Sequence, residues 1–532
     1  MDMAMMSTTT WVRTAVAFVV IVASAIIVSH LFEHTTKKEV KTVNTKKKKR
    51  LVPPGPRGLP VIGHLHLIGQ NPHKDLQKLS QTHGPIMRLR FGTVDTVVAS
   101  SSHAARLFLK TNDLNFTNRA SQQLGDILSY DSKDVVFGDY SPIWCEMRKL
   151  YAVELLSSQK VNSFEPLRRQ ELCLLIESLK KQCPVAVVGE GVVDLSATLA
   201  SMNLNLTCRM LFGKKYEEWD VVGDDGKGFK AAIDEVIHLA GATNLGDYFP
   251  VLSGLDVQGL CRRAKVVKNV YDQFFERVLV DRENHKRDER DDAAASRDFV
   301  DILLGILINK ETNSFEFTRE HVKSMMLDLL IGAMDTSSTV VVWAMSELIK
   351  NPTKMKRLKE ELERQVGLHR MVDEKDLEHL KYLEMVIKET LRLHPTAPLL
   401  IPRAAIEDCT VGDFHVPKNT KVIINVWAIG RDPNVWSDAE EFMPERFEGS
   451  NVDYRGRHFE LLPFGSGRRG CPGLQLGVTM VRLMLAQLVH CFDWDLPKAA
   501  LPAHDLDMTE KYGLVMNRAH NLMLVPTYKL LV

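Results

Sequence analysis

The chain has 532 residues and a formal net charge of +1, with 45% hydrophobic and 25% charged residues. These proportions are those of a globular protein, and they exclude both wholesale disorder and a protein built mainly of membrane spans. The eight cysteines contain no Cys-x-x-Cys pair, which excludes a disulfide-dense secreted scaffold and the usual zinc modules.

The near-neutral total hides a distinct N-terminal segment. Residues 1–50 carry nine basic and three acidic residues, a net charge of +6, whereas the remaining residues carry −5. Residues 14–32 have no formal charge and as a helix would span ~28 Å, close to the hydrocarbon thickness of a bilayer. Eight basic residues follow this run and only Arg13 precedes it. The positive-inside rule therefore predicts an uncleaved anchor with the body in the cytosol.

A cleaved signal peptide is the competing interpretation, since Ala23-Ser24-Ala25 resembles a cleavage site, but the apolar run continues beyond it. With an anchor, the chain divides into four predicted parts. They are a lumenal N-terminus (1–13), a transmembrane signal anchor (14–32), a basic and proline-rich hinge (33–63) and a cytosolic body (64–532). The hinge contains Pro53-Pro54-Gly55-Pro56, which enforces stiff, extended backbone and suits a linker or a rigid spacer equally.

Helical periodicity dominates the body, which predicts a mainly α fold with minor β structure. The predicted helices cover 144–160, 165–182, 195–212, 228–240, 260–285, 298–310, 318–350, 352–366, 376–393 and 474–490. The predicted strands cover 86–91, 96–99, 420–426 and 522–525. The helix 318–350 holds no proline and one glycine, so we expect ~50 Å of continuous helix. Residues 281–297 alternate in charge, which predicts a solvated loop or helix end.

Two interpretations compete for the glycine-rich stretch near the C-terminus. Residues 465–470 match the G-x-G-x-x-G pattern of dinucleotide-binding folds. Pro463 interrupts the strand that such a fold needs, and Pro472 follows the glycines directly. Only some seventy residues remain beyond this point, without further β–α alternation to build a parallel sheet. The pattern therefore does not indicate a nucleotide site.

The same stretch contains Phe464-x-x-Gly467-x-Arg469-x-Cys471-x-Gly473 and resembles the haem-thiolate signature of the cytochromes P450. The resemblance implies that Cys471 ligates the iron, that Arg469 pairs with a haem propionate and that Phe464 shields the ring face. A glycine-permitted turn aims backbone N–H groups at the sulfur, which stabilises a thiolate in an apolar pocket. The other seven cysteines are expected to be ordinary small buried residues.

Further residues match motifs of this family in the expected order. Glu389-Thr390-Leu391-Arg392 is similar to its E-x-x-R motif, whose residues share a helix face, and Pro444-Glu445-Arg446-Phe447 to its P-E-R-F motif. The resemblance implies a buried ion network of Glu389, Arg392 and Arg446. Three more residues match positions that contact the haem propionates: Trp144, Arg148 and Arg403.

Residues 332–337, Gly-Ala-Met-Asp-Thr-Ser, resemble the family's oxygen-binding motif on the long helix. An acid and hydroxyl groups in such an apolar stretch are costly to bury without a partner or a purpose. The resemblance implies that Thr336 assists oxygen activation and that Asp335 relays protons, both as catalytic residues. Hydroxyl groups that bond to carbonyls one turn earlier are the structural alternative. Ala333 departs from the usual second glycine and narrows the expected groove.

Taken over essentially the whole chain, these motifs look most like an A-type plant microsomal cytochrome P450. The resemblance implies a P450 fold in 64–532, haem b, and insertion of one oxygen atom from O2 into a small lipophilic substrate. It implies electrons from NADPH through cytochrome P450 reductase, with Arg468 among the docking contacts, at the endoplasmic reticulum membrane, and no nucleic-acid partner. Residues 396–401 predict an apolar cavity wall, for which an aromatic or phenolic substrate is favoured and a terpenoid comes second.

Two other functions remain open at this stage. The first is a haem-thiolate isomerase or dehydratase that works without a reductase; such enzymes often lack the acid–threonine pair, which is present here as Asp335 and Thr336. The second is a catalytically silent haem protein of the membrane, for which Ala333 is the single indication.

Overall fold

The computed structural model describes residues 51–183, 191–215, 228–288, 298–308, 317–497 and 502–531. The predicted lumenal segment and anchor, and the hinge up to residue 50, lie outside them. The α-helices are α1 Pro72–His83, α2 Ser102–Arg106, α3 Gln123–Leu128, α4 Pro142–Leu150, α5 Ser158–Ser163, α6 Glu165–Lys181, α7 Leu195–Phe212, α8 Phe229–Ala240, α9 Leu245–Tyr248, α10 Leu260–Asp288, α11 Phe299–Ile308, α12 Arg319–Met334, α13 Thr336–Lys350, α14 Pro352–Val366, α15 Lys381–Leu393, α16 Val426–Ile429 and α17 Leu474–Cys491.

The strands are short. They are β1 Ile86–Phe91, β2 Val94–Ala99, β3 Asn118–Arg119, β4 Val193–Asp194, β5 Arg403–Ala404, β6 Cys409–Val411, β7 Phe414–Val416, β8 Lys421–Ile424, β9 Phe492–Asp495, β10 Glu510–Lys511, β11 Asn517–Arg518 and β12 Met523–Tyr528. The largest sheet has the order β1-β2-β8-β5-β3, in which β2 and β8 are parallel. The prediction of a mainly helical fold with minor sheet is confirmed.

The described part of the proline-rich hinge packs on this sheet. The Pro54 carbonyl accepts a hydrogen bond from the Arg88 backbone N–H at 2.8 Å. A Cβ on Gly55 would lie 2.0 Å from the Arg88 carbonyl oxygen, so this close approach requires glycine. Further along, Gly63 forms a bridge to Phe91 at the end of β1. Residues 53–63 are thus attached to the body at several points.

The central helices α7, α12, α13 and α17 form the main apolar core. Trp343 of α13 is fully buried and stacks on His394. Two helical stretches, 319–350 and 474–491, are long and apolar enough to cross a membrane by length and composition alone. Most of each stretch is buried inside the fold, which is the position of a core helix. The same core helices contribute residues to the wall of an internal cavity.

The prediction of one continuous helix over 318–350 is wrong at a single point. Helix α12 ends at Met334, α13 begins at Thr336, and Asp335 between them has φ −114° and ψ −26°. The side-chain amide of Asn203 on α7 donates to the carbonyls of Ala333 at 2.6 Å and Met334 at 2.8 Å. These bonds satisfy carbonyls that the break leaves without intrahelical partners, so a long-range contact stabilises an interruption that periodicity cannot reveal.

Two other predicted helices are also divided. The predicted helix 144–160 consists of α4, a π-helical turn over Tyr151–Leu155, and α5, whose N-terminus is capped by the Ser157 hydroxyl. The predicted helix 376–393 starts as a 3-10 turn over Glu374–His379, and the α-helix itself begins only at Lys381. Apolar spacing is preserved across such turns, which is why the sequence pattern merged them.

Candidate active site

An internal cavity of about 360 Å³ lies between the cysteine-containing loop and the helices α7, α8, α12 and α13. Its walls are mostly apolar. Residues of five segments contribute to it: the 110–140 region, the 205–250 region, the broken helix, residues 396–401 and the turn near Leu514. Within the predicted apolar wall 396–401, Pro398 and Leu399 do not line the cavity, and Leu399 packs instead with Met87 and Leu89 against the sheet.

The loop before α17 depends on glycine. Gly465 and Gly467 have φ of 67° and 71°, which side chains with a Cβ rarely adopt. A Cβ on Gly467 would also lie 2.4 Å from Asp113 Oδ1. The loop returns on itself, and the Cys471 backbone N–H donates to the Phe464 carbonyl at 2.9 Å. This turn places Phe464, Cys471 and Gly473 in the cavity wall, and α17 starts directly after Gly473.

The Cys471 side chain is accessible from the cavity. Burial within the protein raises the pKa of its thiol, while the Gly473 backbone N–H and the guanidinium of Arg148 act in the opposite direction. A hydrogen-bond donor and a cation next to the sulfur both favour the thiolate, which is the form that ligates a metal. Cys471 is therefore equipped as a ligand, unlike Cys208 and Cys491, which are sealed in the core.

Four arginines line the same cavity: Arg119, Arg148, Arg403 and Arg469. Burial, followed by the charges of Arg469 and Arg403, holds the pKa of Arg119 well below its usual range. Burial and then Arg403 lower the pKa of Arg469 to about 10. Four cations so close together in a buried site repel one another, and they suit a ligand that brings negative charge.

Backbone carbonyls and one carboxylate hold these arginines in place. Arg469 donates to the carbonyls of Thr117 at 2.6 Å and Val135 at 3.0 Å. Arg403 donates to Ser466 O at 2.8 Å and pairs with Asp113 at 3.1 Å. Backbone carbonyls also hold the other two arginines. Arg148 donates to Gly470 O at 2.9 Å, and Arg119 donates to Val136 O at 2.7 Å and to Ile401 O at 2.8 Å.

Trp144 is buried beneath this cluster and does not line the cavity. Its indole N–H donates to Val135 O at 3.2 Å, and the guanidinium of Arg469 lies 4.1 Å from its ring centroid. The structure thus places Trp144 beneath Arg469, where it supports the guanidinium group by a cation–π contact. Its predicted contact with haem stays a prediction.

The broken helix forms the wall on the other side. Gly332, Ala333 and Thr336 line the cavity, and the Thr336 hydroxyl donates to the Gly332 carbonyl at 2.9 Å. A Cβ on Gly332 would meet no atom within 4 Å, so this position faces open space. The bond from the Thr336 hydroxyl to a carbonyl one turn earlier is the structural role that the sequence also allowed. Thr336 makes this bond and lines the cavity at the same time.

Asp335 faces a second cavity of about 610 Å³ rather than the first. Its carboxylate accepts a hydrogen bond from Asn517 Nδ2 at 3.1 Å. Burial raises the pKa of Asp335, and the Asn517 bond partly opposes this. Polar and charged side chains line this second cavity, among them Asp234, His238 and Arg518. Asp335 therefore lies between a polar chamber and Thr336, its neighbour in the chain, which faces the apolar cavity.

The structure brings Glu389, Arg392 and Arg446 into one buried ion network. Arg392 makes a two-pronged contact with Glu389 at 2.7 and 2.8 Å, and Arg446 Nε lies 2.9 Å from the same carboxylate. The Met443 N–H donates to Glu389 as well, at 2.7 Å. The network fixes α15, whose Ile387 and Leu391 line the cavity, to the segment that contains Arg446.

This fold and site define a class of protein in which a cysteine and a cluster of cations line an apolar cavity. The family model "Cytochrome P450" matches residues 53–524. The chain is 46% identical to the cytochrome P450 CYP736A12 of Panax ginseng, over 91% of this chain and 95% of that protein. It is 39% identical to the phenylacetaldehyde oxime monooxygenase CYP71AN24 of Prunus mume, over 91% and 90%. It is 38% identical to a flavonoid 3'-monooxygenase of Crocosmia x crocosmiiflora, over 90% and 93%.

Among solved structures, a zebra fish cytochrome P450 with abiraterone superimposes with a TM-score of 0.68 at 25% identity, covering 86% of this chain and 99% of that chain. The chain belongs to the cytochrome P450 family and is an oxidoreductase of the monooxygenase class. Haem b, with a cysteine ligand, is the cofactor of this family. The residues present fit it, because the accessible Cys471 thiol supplies the ligand and the four arginines supply partners for two propionates.

Sequence reasoning missed several residues of the site. Arg119 and Asn203 belong to no motif, and nothing in their sequence context indicates their position. Asp113, which accepts bonds from Arg403 and Arg468, was likewise missed. Asp328 could have been identified from the sequence, because it is a carboxylate in the apolar stretch of α12 two helical turns before Asp335.

Proposed function

We propose that this protein inserts one oxygen atom from O2 into a small lipophilic aromatic or phenolic plant metabolite. The observation that carries the proposal is a mostly apolar cavity with the Cys471 thiol on one side and Thr336 on the other. Such a site binds its ligand by burial of apolar surface and orients it with few polar groups. Any substrate in the cavity thus lies between the cofactor ligand and the hydroxyl of the broken helix.

Two observations support the preference for an aromatic substrate: the apolar residues of the cavity wall and the substrates named for similar proteins. Leu211, Val236, Ala240 and Leu514 contribute apolar surface to the cavity, which suits a lipophilic ring. The relatives with an activity in their names act on phenylacetaldehyde oxime, 4-hydroxyphenylacetaldehyde oxime and flavonoids. All three substrates are aromatic, so aromatic substrates come first and terpenoids second.

Two side chains are proposed to handle protons. Bound haem supplies the activation of dioxygen, with electrons delivered one at a time. Thr336 offers a hydroxyl at the cavity wall, and Asp335 borders the polar chamber behind it. Because burial raises the pKa of Asp335, its carboxyl group binds and releases a proton closer to neutral pH than an exposed aspartate does. Asp335 then acts as the proton relay and Thr336 as the donor at the site.

The proposed electron source is NADPH through cytochrome P450 reductase at the cytosolic face of the endoplasmic reticulum. Arg468 supports this, because its side chain in the cysteine loop is paired with Asp113 at 2.8 Å but is still 48% exposed, so an acidic partner can contact it as well. Residues 14–32 are proposed as a single-pass anchor after a lumenal segment 1–13, with the hinge 33–63 leading to the catalytic domain 64–532.

The test is a substrate screen in microsomes that co-express the full chain with reductase. Aromatic oximes, simple phenols, flavonoids and terpenoids are compared by the low-to-high-spin shift and then by product formation. We expect an aromatic compound to give both the shift and an NADPH-dependent oxygenated product. Turnover of a substrate without NADPH and reductase would instead identify an isomerase or dehydratase. A normal reduced, CO-bound spectrum with no turnover of any compound would identify a silent haem protein.

A further inference from the structure

Two carboxyl groups without any role in the proposed chemistry meet in the wall of the main cavity. Asp134 belongs to the loop between α3 and α4, and Asp328 to α12. Both line the cavity, and both accept backbone N–H groups of residues 135–138, so the two carboxyl groups lie against the same short loop. Two buried carboxylates side by side repel each other, whereas a proton on one of them removes the repulsion and supplies a donor for the other.

The pair also accepts the N–H groups of the loop that follows Asp134. Asp134 Oδ1 accepts from Phe137 and Gly138, both at 2.9 Å, and Asp328 Oδ2 accepts from Val135 at 3.0 Å. These bonds fix successive peptide groups of residues 135–138 against α12. Because Asp134 is only 1% exposed, water cannot readily replace the carboxyl group as a partner.

The carbonyls of the same loop point to the cation cluster. Val135 O accepts from Trp144 and Arg469, at 3.2 and 3.0 Å. Gly138 O also accepts from Arg469, and Val136 O accepts from Arg119 at 2.7 Å. The loop is therefore bonded through its N–H groups to two acids and through its carbonyls to two of the four arginines in the cavity.

We propose that Asp134 and Asp328 share one proton and act as positioning residues, holding residues 135–138 so that their carbonyls aim Arg119 and Arg469 at the acidic groups of haem. The pair does not touch Cys471 or the reacting atoms, so its effect is on retention of the cofactor. The inference is independent of the substrate proposed above.

The charges around the pair agree with a shared proton. The groups that face it are the guanidiniums of Arg119 and Arg469 and the phenols of Tyr151 and Tyr271, with Arg148 behind Tyr151. Burial raises the pKa of both carboxyl groups, more than the backbone N–H groups and Arg119 lower that of Asp134. The stability that this proton gives the pair is fully present at acidic pH and is lost as the pH rises through the raised pKa, where the shared proton leaves.

The experiment measures the rate of haem transfer from the full-length holoprotein to excess apomyoglobin, as a function of pH. Asp328→Asn keeps an acceptor for the Val135 N–H and supplies the permanent donor that a protonated Asp328 provides. Asp328→Ala removes both. Asp131→Asn is the matched control, because Asp131 lies in the same loop but is exposed.

We expect Asp328→Ala to lose haem about tenfold faster than the wild type at neutral pH, because several buried partners lose their bonds. Asp131→Asn should match the wild type at every pH. The wild type should lose haem faster at alkaline pH, where the shared proton leaves. Asp328→Asn should retain haem as the wild type does at neutral pH, and its rate of haem loss should not rise at alkaline pH.

Three results would overturn the proposal. If Asp328→Ala retains haem as well as Asp131→Asn, the pair does not position the loop. If Asp328→Asn folds and shows the same alkaline acceleration as Asp131→Asn, or loses haem at neutral pH, no proton is shared. An Asp328→Ala variant that fails to fold leaves the Asp328→Asn profile to decide between these outcomes.

Discussion

The two sides of the main cavity are built in different ways. On the cysteine side, glycine-dependent turns and arginines bonded to several carbonyls fix the loop from 464 to 473. On the helix side, side chains without charge donate to the break at Asp335: the amides of Asn203 and Asn517 and the hydroxyls of Ser338 and Thr336. The first arrangement is fixed by charged groups and suits a cofactor that must stay in place, whereas neutral donors hold the second.

This difference predicts that substitutions of the cysteine ligand or of the buried ion network prevent formation of a stable haem-containing protein. Substitutions on the helix side should instead change the stability of the break and the coupling of the enzyme. We expect the effects to decrease from the cysteine ligand through the buried ion network to the helix break.

Cys471→Ala should remove the thiolate-type reduced, CO-bound spectrum completely, because no other described cysteine lines the cavity. The spectrum is recorded on the solubilised full-length protein. Cys145→Ala is the control, since Cys145 is half-buried and outside the cavity wall, and its spectrum should be unchanged. Survival of the thiolate spectrum in Cys471→Ala would show that the ligand is misassigned.

Glu389→Gln should destabilise the fold by about 3–5 kcal/mol, because it leaves Arg392 and Arg446 buried without a compensating charge. The measurement is the yield of holoprotein and its denaturation midpoint. Glu384→Gln on the same helix is the control: Glu384 pairs with Arg482 at 3.1 Å in a partly exposed position, so its loss should be at most about 1 kcal/mol. Equal effects of the two changes would contradict a special role for the network.

Asn203→Ala should lower the free energy of unfolding by about 1–3 kcal/mol, because two buried carbonyls at the helix break lose their donor. We also expect a smaller fraction of NADPH to be used for product, since Thr336 follows the break directly. The oxygenated product formed per NADPH consumed measures this. Asn205→Ala on the same helix is the control, because the side-chain oxygen of Asn205 accepts no hydrogen bond from the residues that the structure describes. A stable, fully coupled Asn203→Ala would show that the break needs no support from α7.

The same contrast separates what the sequence predicts from what it does not. The cysteine loop and the Glu389–Arg392 pair are local patterns that match motifs of the family residue by residue, so the resemblance predicted both. Helices such as α7 and α14 also follow from uniform periodicity. These features need no knowledge of the distant chain.

Features that depend on distant partners were missed or misjudged. Asn203 acts across 130 residues to stabilise the break after Met334, and Asp134 meets Asp328 from a different part of the chain. Strands such as β5, only two residues long, exist because a neighbouring strand offers an edge. No periodicity carries such information, which arises from tertiary packing.

Ala333→Gly should have the smallest effect and bears most directly on the helix side of the comparison. Ala333 lines the cavity and its carbonyl is already held by Asn203, so removing its methyl group widens the groove without freeing the break. Glycine in a helix costs about 1 kcal/mol relative to alanine, and a slightly lower melting temperature is expected. Because the Asn203 bonds persist, the yield of product per NADPH should stay close to that of the wild type. The reciprocal variant Gly332→Ala adds a methyl group that meets no protein atom within 4 Å, so it narrows the cavity and should weaken substrate-induced spin shifts without lowering stability. A large rise in coupling in Ala333→Gly would instead show that the Ala333 methyl group, rather than the hydrogen bonds at the break, limits the groove.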